Sequence, residues 1–529
     1  MIHTPPSQKP RRRPALAAAA LALSLAAAGC SGPSAGGDKK ADGAASGGSA
    51  SSSSSAAQPM PSTDPALARF TGQNVHWSSC EGDKECADIT VPVDYAHPDK
   101  ETMRIRAIRI PSSNPKAPAL FVNPGGPGGS GYDLVKDDDG KFDSDAIRSR
   151  YSVVGFDPRG VSRSEGIQCL TDKEKDAKRA ANIDDSTPEG LAKAHAAAKA
   201  LGQKCKEKSG PVLAHMDTAS AARDLDVMRA ATQSPRLNYL GFSYGTYLGA
   251  MYAQLFPDNV GRFVLDGAVK PNATPQEIDE GQAVAFEKSF TAYAKSCAQR
   301  GDCPLKGEPK EQLAQLTELI AKYRKTPGKT SDGRVFTADD LVQALILPMY
   351  EDSIWPMLDK AIRGAMEGKP DTAMRIADLS LERDESGHYS GNQDVAFSGV
   401  QCLDHPGRPS DAEMKADAKQ LEKKAPFTAP LISYSQLPCV EWPVTPAKGA
   451  PAIKPAKPVT ALVIGTTGDP ATPYEWSKDL ASTLGGDSRV LTSVGHGHTA
   501  FGRAGSCVTD AVLDYLAEGR LPKAGKVCT

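Results

Sequence analysis

The chain has 529 residues, enough for one large domain or two to three smaller ones. With 40% hydrophobic and 24% charged residues it has the composition of a soluble globular protein, not of a disordered or fibrous one. A formal net charge of -2 gives no electrostatic reason to expect nucleic acid or an acidic polymer as partner.

The N-terminus reads as an export segment. Lys9 and Arg11, Arg12 and Arg13 form a positive stretch, and residues 15–28 are apolar but too short for a membrane span. The segment ends Leu25-Ala26-Ala27-Ala28-Gly29-Cys30-Ser31. That ending resembles a bacterial lipobox, in which Cys30 is lipidated and becomes the first residue, although Ala27 stands where Leu is commoner. Residues 1–30 are therefore expected to be a lipoprotein signal peptide. Residues 31–64 are rich in Gly, Ala and Ser and read as a flexible tether. The expectation is a domain held by a lipid anchor on the outer face of the cell membrane, released if the tether is cut.

Apart from Cys30 the sequence holds ten cysteines, an even number that suits an oxidising compartment. The simplest pairing is sequential: 80–86, 169–205, 297–303, 402–439 and 507–528. No Cys-x-x-Cys pair exists, so no metal site is expected.

From about Pro65, strand candidates alternate with helical stretches. Residues 103–110, 119–122, 151–156, 237–240, 262–265, 459–465 and 489–494 read as strands, and 219–231 and 247–255 as helices. This alternation predicts an α/β fold, a mostly parallel sheet with helices on both faces. Residues 271–450 differ: 274–297, 311–323, 338–349 and 354–366 are helix-like, the first opening with Thr274-Pro275. They are expected to form a helical cap inserted between an N-terminal core part, 65–270, and a C-terminal core part, 451–529.

Chemistry enters at Leu240-Gly241-Phe242-Ser243-Tyr244-Gly245-Thr246. A Gly-x-Ser-x-Gly between a short strand and a helix is the pattern of a nucleophile elbow, which lifts a serine hydroxyl clear of the sheet. A serine needs a base, and the base an orienting acid, in the chain order Ser, acid, His on this architecture. Asp469 is the preferred acid, because it follows an apolar strand and a polar Gly turn; Asp266, also at a strand end, is the competitor. In Gly495-His496-Gly497-His498, His498 is the preferred base and His496 the alternate. The amide of Tyr244 is one expected oxyanion donor. The other is Gly126, with Gly125 as alternate, in the loop Asn123-Pro124-Gly125-Gly126-Pro127-Gly128-Gly129. Asp157 and Arg159 are expected to be structural.

Together these motifs resemble a family. Asn-Pro-Gly-Gly-Pro-Gly at 123–128 is similar to the His-Gly-Gly-Pro-Gly loop of proline iminopeptidases, with Asn123 in place of His. The segments at 157–162 and 241–246, Val-Leu-Asp-Gly at 264–267, Cys439-Val440-Glu441-Trp442, and the stretch from Gly468-Asp469-Pro470 to Cys528 resemble the actinomycete tripeptidyl aminopeptidases. With the lipobox, the chain looks most like the mycelium-associated lipoprotein proteinases of that family. The resemblance implies an α/β-hydrolase with the triad Ser243, Asp469 and His498, releasing short peptides from free N-termini. The family also holds carboxylesterase-like members, so small-molecule esters or amides are the alternative substrates. No cofactor is expected, and the protein is expected to act on oligopeptides as a monomer. A free substrate ammonium would need a carboxylate, for which Glu351, Asp352 and Asp404 of the insertion are candidates.

Overall fold

Apolar residues on both sides of the central strands fix the architecture. The computed structural model describes residues 64–446 and 448–529. The lipobox with Cys30 and nearly all of the tether lie outside the described residues. The strands are β1 (Ser78–Ser79), β2 (Glu85–Pro92), β3 (Thr102–Ile110), β4 (Ala119–Asn123), β5 (Ser152–Phe156), β6 (Leu237–Phe242), β7 (Val260–Asp266), β8 (Gly328–Lys329), β9 (Val335–Phe336), β10 (Ala461–Gly468), β11 (Arg489–His496) and β12 (Val527–Cys528).

Ten of these form one sheet in the order β1-β2-β3-β5-β4-β6-β7-β10-β11-β12. Pairing is antiparallel from β1 to β5 and parallel from β5 through β12. In β4, Phe121 faces one core, and Leu120 and Val122 the other. In β6, Tyr239 is opposed in the same way to Leu240 and Phe242. Strands buried on both faces need helices on both faces. The Thr218–Ala231, Tyr244–Leu255 and Tyr474–Leu484 helices cover one side, and the Gly131–Lys136 and Ser506–Glu518 helices the other. This is the α/β-hydrolase architecture.

Residues 271–450 carry the Pro275–Gln299, Pro309–Lys325, Ala338–Ile346, Trp355–Met366, Asp371–Ser380, Gln393–Asp404 and Asp411–Lys424 helices. Thr274 and Glu277 close a capping box at the first of them. Several pack around a separate apolar cluster that includes Phe290, Tyr293, Leu316, Leu345 and Ile362. Two further helices, Asp172–Ala180 and Pro188–Ser209, join this layer from the other side of the chain. Arg179 bonds Asp340 and Asp378, each at 2.8 Å. The Asp172–Ala180 helix buries none of its residues, so it carries no apolar period to read in the sequence. The helical layer is thus built from two chain segments.

All five disulfides join sequential cysteines. Cys402–Cys439 ties the Gln393–Asp404 helix to the short Leu437–Val440 helix.

Candidate active site

Every group of the site sits where a parallel strand ends, the edge at which open α/β sheets gather their chemistry. Ser243 follows β6 with φ 53° and ψ -124°, a left-handed backbone that a non-glycine residue adopts only under constraint. Its N–H donates to the Asp266 carbonyl at 2.9 Å. Its own carbonyl accepts from Thr246 N at 2.8 Å and from Thr246 Oγ1 at 2.6 Å. The flanking glycines allow this turn. A Cβ at Gly241 would fall 2.4 Å from the Gly245 carbonyl oxygen, and one at Gly245 would fall 2.8 Å from Asn123 Oδ1. The hydroxyl stands at the start of the Tyr244–Leu255 helix and bonds no described residue.

The loop after β4 lies directly against this turn. A Cβ at Gly125 would fall 2.9 Å from the Ser243 Cβ and 3.1 Å from the Tyr244 nitrogen. Asn123 Oδ1 accepts the Gly125 N–H at 2.9 Å, so that amide is already engaged. The Gly126 N–H has no hydrogen-bond partner among the described residues. Tyr244 opens its helix, so its N–H has no carbonyl one turn back within that helix. Two unengaged amides beside a serine hydroxyl can stabilise an oxyanion. Behind the loop, Asp157 accepts from Ser130 Oγ and from Arg163 N. Buried Arg159 is held bidentately by Asp224 at 2.7 and 2.6 Å and donates to the Val93 carbonyl. Neither residue has a route to a substrate, as expected.

Asp469 follows β10 and His498 follows β11. His498 Nδ1 lies 2.9 Å from each Asp469 oxygen. An ionised carboxylate only accepts, so it holds the proton on Nδ1 and leaves Nε2 with its lone pair. Nε2 is buried and bonds no described group. Asp469 is itself fixed by the N–H groups of Ala471 and Thr472, both at 2.9 Å, and by Thr472 Oγ1 at 2.9 Å. His496, the alternate base, is exposed and packs its ring on Trp355 at 5.6 Å. Asp266, the competing acid, has another task. It is fully buried and accepts the N–H groups of Ala500 and Phe501 at 2.9 and 2.7 Å, anchoring the loop that carries His498. Burial pushes its carboxyl up to about 6, against the pull of those two N–H groups.

The cap completes the histidine's surroundings. The His498 N–H donates to the Tyr350 carbonyl at 2.9 Å. The Tyr350 ring meets the imidazole edge-on, 5.2 Å between centroids. Nothing in the sequence singles out Tyr350, because it lies in a 3-10 turn without a motif. Thr472 had a faint signal, three residues after the acid in Asp469-Pro470-Ala471-Thr472, the spacing of a side chain that caps its own turn.

Residues 425–528 match the family described as TAP-like protein. Over 484 residues the chain is 34% identical to the serine protease Hip1 of Mycobacterium tuberculosis, covering 86% of this chain and 91% of that protein. It is 34% identical over 456 residues to carboxylesterase B of the same organism, covering 84% and 86%. It is 32% identical over 490 residues to a tripeptidyl aminopeptidase of Streptomyces lividans, covering 88% of each. The chain belongs to the tripeptidyl aminopeptidase family. It is a serine peptidase of the α/β-hydrolase type.

Family members acting on free N-termini must recognise an ammonium, and the three carboxylates expected to do so differ in placement. Asp404 is turned inward: it is 5% exposed, and its oxygens accept Thr218 N at 2.9 Å and Thr218 Oγ1 at 2.5 Å. Both oxygens are engaged beneath Tyr244, so the expectation of a substrate-binding role is corrected. Glu351 lies beside the histidine loop but faces Arg503 at 3.7 Å, which already balances its charge. Asp352 is partly exposed in the same turn.

Proposed function

We propose that the protein is an exported, lipid-anchored exopeptidase that releases short peptides, tripeptides foremost, from free N-termini through Ser243, His498 and Asp469. One observation carries this reading: His498 is clamped by Asp469 through Nδ1 and keeps Nε2 free, on a loop anchored by Asp266, whose carbonyl also accepts the N–H of a serine held in a left-handed elbow. His498 Nε2 takes the Ser243 proton as the oxygen attacks the scissile carbonyl. The Tyr244 and Gly126 amides receive the oxyanion. His498 then protonates the leaving amine, and water, activated by the same nitrogen, hydrolyses the acyl-enzyme. Asp469 stabilises the imidazolium in both steps. Tripeptide release is supported by the Streptomyces relatives named tripeptidyl aminopeptidase, and export by the lipobox at Cys30 and five disulfides.

A second reading, a carboxylesterase or amidase, draws on the relative named carboxylesterase B and on the engagement of Glu351 and Asp404. Chromogenic peptides of one to four residues, with free or acetylated N-termini, separate the two. We expect a free tripeptide to be cleaved fastest, with loss of activity on acetylation and in Ser243→Ala. Equal turnover of acetylated peptides, or turnover of simple esters alone, would transfer the assignment to the second reading.

A further inference from the structure

The Gln393–Asp404 helix of the cap touches the oxyanion loop. A Cβ at Gly128 would fall 3.0 Å from both the Gln393 carbonyl oxygen and the Ala396 Cβ, so only a glycine there lets the helix come this close. The helix is held at both ends. Asn392, just before it, donates to the carbonyls of Gly160 and Ile167 at 2.9 and 3.0 Å and accepts Ser162 N at 3.0 Å. At the other end Cys402 is bonded to Cys439, and Asp404 to Thr218.

On this fixed support Gln393 is the first helical residue. Its Nε2 lies 3.5 Å from where a Cβ of Gly126 would stand, beside the unengaged Gly126 amide. The carboxamide is partly buried and bonds no described residue. A side-chain amide has the same donor and acceptor pair as a peptide group, and this one, open to solvent, can exchange water for a peptide unit.

We propose that the Gln393 carboxamide is a substrate-positioning group, bonding a peptide unit next to the carbonyl that sits at Gly126 and Tyr244. This rests on the peptidase reading above and supplies it with a means of selecting peptides over simple esters. A simple ester has an acyl carbonyl for the oxyanion loop but no neighbouring peptide unit for Gln393. A peptide engages both, and the second bond holds its scissile carbonyl in register with Ser243.

The test compares kcat/KM for a tripeptide p-nitroanilide and for p-nitrophenyl acetate, with full-length wild type, Gln393→Ala and Gln393→Met. Methionine keeps the volume and removes both hydrogen-bonding groups. We expect the peptide-to-ester ratio to fall at least tenfold in both variants, through kcat as well as KM. An unchanged ratio, whether both substrates slow together or neither does, overturns the proposal, the first case leaving Gln393 as a prop for the loop. A ratio restored by Met and lost only in Ala overturns it as well, since shape alone would then suffice. Wild type that turns over the ester and not the anilide defeats the peptidase reading, and this inference with it, before any variant is compared.

Discussion

The sheet and the cap both reach His498, and they do so by different means. From the sheet, Asp469 and Asp266 act through charged or backbone-directed hydrogen bonds set by the register of β7, β10 and β11. From the cap, Tyr350 offers one carbonyl and one ring edge, carried on an irregular turn. The sheet therefore fixes which ring nitrogen of the base carries the proton, whereas the cap restrains its position. Loss of a sheet contact should change the chemistry itself, and loss of a cap contact only how often the base is correctly placed.

The largest effect expected from this contrast is that of Asp469→Asn. The amide would present a donor to Nδ1 and favour the tautomer with its proton on Nε2, which cannot accept from Ser243. We expect kcat to fall by about 10⁴-fold with the fold intact, since geometry survives while the tautomer is wrong. Thermal unfolding and single-turnover acylation would check this. Retention of more than a tenth of the wild-type rate would mean that Asp266 can serve as the acid, against its observed role.

A smaller effect tests the cap. Tyr350→Ala removes the ring edge and keeps the carbonyl that accepts the His498 N–H. We expect kcat to drop by about 10- to 100-fold with the fold intact. Tyr350→Phe, which retains the ring, should stay close to wild type. Equal losses in Phe and Ala would show that the phenol oxygen acts in the site, and the distinction between fixing the proton and restraining the ring would fail.

The same contrast explains what could be read in advance. Ser243, Asp469 and His498 each follow a short apolar strand that ends at glycine, and such breaks are visible in a sequence. The sequence prefers Gly126 to Gly125 as the second donor, and the Asn123 side chain, which engages the Gly125 amide and leaves that of Gly126, gives that preference a physical basis. The sequence likewise prefers Asp469 to Asp266 although both end strands, and the hydrogen bonds separate their roles: Asp469 meets the imidazole, and Asp266 the backbone of Ala500 and Phe501. The cap was harder. Its helices had capping boxes and apolar faces, but its contacts with the site come from Tyr350 and Gln393, in a turn and at a helix start, where no periodicity marks direction. The polar Asp172–Ala180 helix was illegible because it is fastened by ion pairs, not by buried apolar side chains.

Asp404 gives the smallest expected effect on activity and sharpens the contrast from within the cap. Its carboxyl is buried under Tyr244 and pushed up to about 7, chiefly by burial and further by Asp217, against the two bonds from Thr218. An unfolded aspartate ionises near 3.8. Between those values the native protein keeps a proton that the unfolded chain has released, so this group's contribution to stability is fully present below about 4 and declines as pH rises to about 7. Asn in this place mimics the protonated acid: its oxygen can accept Thr218 N–H and its amide can donate to Thr218 Oγ1. Asp404→Asn should therefore match wild type at pH near 4 and exceed it near pH 8, by on the order of 4 kcal/mol in urea unfolding. Its preference for free over acetylated N-termini should not change, because the carboxylate faces Thr218 and not the substrate. Parallel stability curves for the two proteins would mean that Asp404 is ionised throughout, and a selective loss on free-amine peptides would return it to the substrate's ammonium.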